Sequence, residues 1–138
     1  MFFKKKKKTT LLEDIQTSSK WVSEALISSG YHADYSMESL KELDRFLKEE
    51  NKPGGILSKG VGQKLFALGS YVGEVFIKQY GGHWETDDND RQGEIKITVV
   101  LDNEITFYPV ISVMKCYDNC EENSLYALSQ AIEQSCQE

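Results

Sequence analysis

At 138 residues, 40% of them apolar and 11% aromatic, the chain is long enough for one domain and too rich in core-forming residues for wholesale disorder. Its net charge of −6 conceals a split: Lys4 to Lys8 supply five of the 16 basic residues, and the remainder carries 11 basic against 22 acidic residues, a net of −11. A body that negative repels phosphate backbones, which argues against nucleic-acid binding and suits a basic protein partner. No run approaches the ~18 consecutive apolar residues of a spanning helix. The opening "MFFKKKKKTT" has no apolar stretch behind its lysines, because "LLEDIQTSSK" turns polar at once, so a secretory signal is not expected. With three cysteines, an odd count, the expectation is a reduced, cytoplasmic setting without stable membrane association.

In chain order, residues 1–10 read as a basic flexible tail and residues 11–138 as a single domain. The alternatives for Lys4–Lys8 are weak contact with anionic lipid or docking on the acidic body. Residues 11–29 predict a helix with Leu12, Ile15, Val22, Ala25 and Leu26 on one side, a side that can also take Trp21, and Gly30 as C-terminal cap. After "YHADY", Ser36 is the expected N-cap of a second helix, with Glu38 in the first turn and Leu40, Leu43, Phe46 and Leu47 facing inward to about Glu50. "NKPGG" breaks it. A third helix near 59–80 carries Val61, Leu65, Leu68, Val72, Val75 and Phe76, and Gly81 and Gly82 end it.

The period then changes. His83–Thr86 predict a short strand, "DDNDRQG" a polar loop, and Glu94–Leu101 a strand alternating Ile95, Ile97 and Val99 against Lys96, Thr98 and Val100. Asp102-Asn103 makes a turn, and "EITFYPV" returns as a third strand up to Pro109. "ISVMKCYDNC" fits either a short helix or an extended crossing, and a last helix from Asn123 or Ser124 uses Leu125, Leu128, Ala131 and Ile132. Helices grouped N-terminally, strands grouped after them and a C-terminal helix predict an α+β fold on a roughly three-stranded antiparallel meander.

Gly62, Gly69 and Gly73 share one edge of the third helix, where each costs about 1 kcal/mol relative to alanine. Gly69 and Gly73, like Gly81 and Gly82, read as structural: missing side chains let another element approach closely. They lie within a helix and not at its N-terminus, so a phosphate cradle is not indicated.

Here the chain also resembles a known family. "DYSMESLKELDRFL", "LGSYVGEVFIKQYGGHW", "ITFYPV" and "NSLYALSQAI" are similar to the small bacterial family called domain of unknown function 3806, over residues 31–135. The likeness rests on a serine-leucine-led helix, a tyrosine-glycine-glutamate helix, a glycine-tryptophan turn and a proline-ended strand. It implies a fold and no activity.

The chemistry-bearing residues form no convergent set. Glu74 stands in the favourable i,i+4 order with Lys78, with a buried carboxylate bound to backbone or to Trp84 as the alternative. Asp44, between Leu40 and Leu47, is expected to be partly buried, pairing with Lys41 or Lys48 or capping a neighbouring element. His32 and His83 are the only histidines, and neither a G-x-S-x-G elbow nor an H-E-x-x-H pair is present. Cys116 and Cys120 form a C-x₃-C with Cys136 and His83 as conceivable further ligands, but a second tight pair is missing, so partly buried reduced cysteines and no metal or cofactor are expected. "DDNDRQGE" fails as a calcium loop because its twelfth position is Val99 and not a glutamate. The same segment concentrates Glu85, Asp87, Asp88, Asp90 and Glu94 beside Trp84, a combination suited to clasping a basic partner.

The reading is therefore a non-enzymatic cytoplasmic protein-binding domain, of the bacterial immunity or antitoxin type, that neutralises a basic toxin domain. The alternative is a small-ligand binder or enzyme with a pocket between the glycine-containing helix and the sheet.

Overall fold

The computed structural model describes residues 9–136, and the expectations for Lys4–Lys8 lie outside them. Within these residues the chain forms α1 (Leu11–Ser28), α2 (Ser39–Glu50), a 3₁₀ turn (Ile56–Ser58) and α3 (Val61–Tyr80). Strands β1 (Gly82–Glu85), β2 (Thr98–Leu101) and β3 (Thr106–Phe107) follow, then α4 (Pro109–Asp118) and α5 (Leu125–Cys136). The architecture is α+β, with an antiparallel β1-β2-β3 meander and a C-terminal helix.

Local chemistry sets the helix ends. Thr10 and Glu13 form a capping box: the Thr10 hydroxyl accepts from the Glu13 amide at 3.1 Å, while the Glu13 carboxylate accepts from the Thr10 amide at 3.0 Å. At the other end Gly30, at φ +95°, lets the Tyr31 amide reach back to the Leu26 carbonyl, satisfying an acceptor the helix leaves open. Ser36 does not cap α2 directly. Its hydroxyl accepts from the Ser39 amide at 3.1 Å, opening a tight turn that precedes the first helical residue.

The centre of the molecule is α3, whose middle residues from Leu65 to Val72 are buried on every side. It packs on α1 and α4 and lies against the sheet. Leu40, Leu43, Leu68, Val72, Phe76 and Val99 have 0% of their surface exposed, each such burial stabilising the fold by about 1.5–3 kcal/mol. A smaller cluster of Ile15, Phe66, Ile97 and Val110 adjoins this core, and Trp84 packs against both.

Several expectations are corrected. Leu12 and Trp21 are exposed, because the buried stripe of α1 runs Ile15, Ser19, Val22, Leu26 and leaves them beyond its edges. Ala131 is likewise exposed on α5. Strand β2 begins at Thr98 and not at Glu94: β1 supplies partners only as far as Glu85, opposite Thr98, and among the described residues no strand pairs with residues 94–97. That stretch coils into turns instead, with the Lys96 amide bonded to the Gln92 and Gly93 carbonyls, which leaves Ile95 exposed. The open segment after β3 is helical, and Pro109 starts α4 where its missing amide costs nothing.

Candidate functional site

The glycine edge of α3 is filled by the protein's own body. A Cβ on Gly69 would stand 2.6 Å from Val110 Cγ2 and 2.8 Å from its Cα, so the start of α4 needs that glycine for its approach. A Cβ on Gly73 would land inside the Trp84 indole. At both positions the space is taken by Val110 and Trp84, and not by the pocket of the alternative reading. Gly62, by contrast, is exposed with no neighbour within 4 Å of its Cβ position, so it does not belong to the close-approach edge.

How Trp84 reaches Gly73 follows from the turn between them. Gly81 at φ +77° and Gly82 at φ +149° reverse the chain, and β1 runs back along α3. Alternation along β1 then turns Gly82 and Trp84 inward and His83 and Glu85 outward. The ring lies on Gly73, and its Nε1 donates to Glu74 Oε2 at 2.7 Å. Glu74 thus takes the partner expected as the alternative; Lys78 instead lies over the Tyr35 ring, 5.2 Å from its centre.

The acidic segment after β1 is organised by its own backbone. Asp87 accepts from the Asn89 amide at 3.0 Å, and Asp90 from the Gln92 amide at 2.9 Å. Asp90 also meets Lys96 at 3.3 Å; the Gln92 amide first, then Lys96, hold its carboxyl below the usual range. Asp88 accepts from the Leu11 amide at 3.3 Å, placing an anion at the N-terminus of α1 where the helix dipole favours one. Glu85 meets His83 at 3.2 Å on the outer face of β1. Glu85, Asp87, Asp88 and Glu94 remain exposed.

Beside this segment, between α1 and α3, lies a groove of about 680 Å³ bordered by Asp14, Thr17, Trp21, Gln63, Phe66 and Glu94. Lys59 and Lys64 also line it, and the Lys64 ammonium donates to the Ile56 and Lys59 carbonyls at 2.7 and 2.9 Å. Trp21 is 53% exposed and also borders an apolar recess with Val22, Phe46, Ile56 and Leu68. Ile56, 40% exposed, extends this apolar surface. Sequence reasoning named Trp84 as the aromatic beside the acids. The signal for Trp21 was present in the spacing of Ile15, Val22 and Leu26, which puts position 21 off the buried stripe.

A second constellation stands apart from the groove. Asp44 on α2 caps α5 in trans: Oδ1 accepts from the Leu125 amide at 2.8 Å, Oδ2 from the Tyr126 amide at 3.3 Å and from the Ser124 hydroxyl at 2.6 Å. Cys116 Sγ approaches Asp44 Oδ1 at 3.5 Å, and Cys120 Sγ the Asp44 carbonyl oxygen at 3.8 Å. Burial, more than any neighbour, pushes both thiols up from their ordinary range. Cys136 is exposed at the end of α5, contrary to the expected partial burial, and neither it nor His83 joins this cluster.

No protein-family model, curated protein or solved structure matches the chain. Among the described residues, no helix is long and apolar enough to cross a membrane.

Proposed function

We propose that this chain is a non-enzymatic, cytoplasmic protein-binding domain of the bacterial immunity or antitoxin type, which neutralises a basic toxin domain. The observation that carries the reading is the α1–α3 groove, where a half-exposed Trp21 stands beside Asp14 and Glu94 and continues into the acidic segment 85–94. A large exposed ring gives a partner buried area at little conformational cost, while the acids and the net charge of −11 outside the lysine run speed its approach. Trp84 is committed to Gly73 and Glu74, so the aromatic contact is assigned to Trp21. In the same proposal, the kinship with domain of unknown function 3806 rests on the four stretches quoted above.

The experiment is affinity purification from the native cell followed by binding kinetics on the recovered partner. One tight, basic, stoichiometric protein is expected, whose association slows as salt rises. Trp21→Ala is expected to weaken that complex by about 2 kcal/mol, roughly 30-fold, through faster dissociation and with an unchanged melting temperature. Recovery of no basic protein, or a complex indifferent to Trp21→Ala, defeats the reading.

A further inference from the structure

Where α2 meets the end of α4 and the start of α5, three donor side chains converge. Asp44, Cys116 and Cys120 each offer one ligand atom within 4.8 Å of the other two. Both thiols are free and buried, and both are directed at the same residue. Cys116 comes from the last turns of α4 and Cys120 from the turn that follows it, while Asp44 comes from α2.

One edge of the cluster already has the length a tetrahedral ion requires, and the other two lie within 4.8 Å. Metal–sulfur bonds of about 2.3 Å and metal–oxygen bonds of about 2.0–2.2 Å set a sulfur–oxygen edge of about 3.5 Å and a sulfur–sulfur edge of about 3.8 Å. The Cys116–Asp44 edge of 3.5 Å already has that length. The Cys116–Cys120 edge needs to close by no more than about 1 Å and the edge from Cys120 to the Asp44 carboxylate by no more than about 1.3 Å, and Cys120 lies on the turn beyond α4, where adjustment is local.

We propose that Asp44, Cys116 and Cys120 bind a thiophilic divalent ion, zinc(II) being the chemical fit, with solvent in the fourth position. Two sulfur donors disfavour calcium and magnesium, which take oxygen. Asp44 keeps its capping bonds in this state. A carboxylate oxygen has two lone pairs, and on Oδ1 one serves the Leu125 amide while the other faces the Cys116 thiol. The ion takes the place of that thiol hydrogen. Ser124 and the amides of Leu125 and Tyr126 hold the carboxylate in orientation, as partners behind a metal ligand do. Binding releases two thiol protons to solvent, and two thiolates, one carboxylate and one dication leave a net charge of −1. The bound ion would tie α2 to the α4–α5 junction.

The test is titration of the reduced full chain with cobalt(II), whose thiolate charge-transfer absorption reports sulfur ligation, followed by displacement with zinc(II). One equivalent of cobalt with that absorption is expected, together with a rise in melting temperature on adding zinc. Cys116→Ser and Cys120→Ser, checked for native helicity, are each expected to weaken affinity at least about tenfold. Cys136→Ser is expected to change nothing, because that thiol is exposed and outside the cluster. An absent thiolate band, a cobalt affinity that Cys116→Ser or Cys120→Ser leaves unchanged, or a band that disappears with Cys136→Ser, overturns the site. The outcome is independent of whether a basic partner is found.

Discussion

Gly73 shows how one absent side chain can organise a neighbourhood. The residue forfeits about 1 kcal/mol of helix propensity, and the Trp84 ring occupies the freed space while its Nε1 reaches the next residue's carboxylate. Gly73→Leu is therefore expected to destabilise by roughly 1–3 kcal/mol in denaturant unfolding, despite leucine's better propensity, because the indole would have to leave both Gly73 and Glu74. A neutral result would mean that the ring can swing aside without loss. Asp44 makes the complementary case, a charge whose value lies in what it accepts. Asp44→Ala leaves the first amides of α5 without their acceptor, and a loss of about 2–4 kcal/mol is expected. Asp44→Asn keeps one carbonyl acceptor and should lose about half as much, so equal losses from the two variants would show that the charge alone matters.

At the scale of elements, boundaries follow from who is available to pair. The start of α1 is written locally, in Thr10 and Glu13 three residues apart, and the T-x-x-E spacing could have been read directly. Thr10→Ala is expected to cost about 1 kcal/mol, measured as a shift of the urea midpoint with an unchanged slope. The length of β2 is not local. Residues 94–101 alternate as a strand should, yet hydrogen bonding stops at Thr98, where β1 runs out opposite Glu85. Pro109 likewise fits the end of a strand or the beginning of a helix, and the packing of Val110 against Gly69 fixes it as the latter.

Across the whole molecule, charge governs the response to pH. Glu42 is held below the usual carboxylate range by Arg45 first and then by the His32 amide, and Asp34 by hydrogen bonds from Ser36. A carboxyl whose folded value is lowered contributes stability that is present above its unfolded value and lost as pH falls through the folded one. The melting temperature is therefore expected to decline as pH drops below 4.5, Glu42's ordinary value, and Glu42→Gln should flatten that decline. At the alkaline end the sign reverses. Burial and then the Glu49 hydrogen bond push Tyr31 up from 10.0 to about 12, so its contribution is complete below pH 10.0 and disappears as pH rises through about 12. Thermal melts of the parent and Glu42→Gln from acid to neutral pH check the first limb; parallel curves would contradict it.

The amino-acid order alone determined the positions of α1, α2, α3 and α5, the glycine and proline breaks, the meander and the acidic character, because periodicity, caps and turn residues act over a few positions; α4 was left open. It also marked Glu74 and Asp44 as unusual without choosing among their partners. The choice belonged to the tertiary structure. Asp44 meets Leu125 across 81 residues and Cys116 across 72, and no local pattern specifies contacts at that separation. The place of Trp84 was decided the same way, by the glycine it lies on, whereas the spacing of α1 already put Trp21 off the buried stripe.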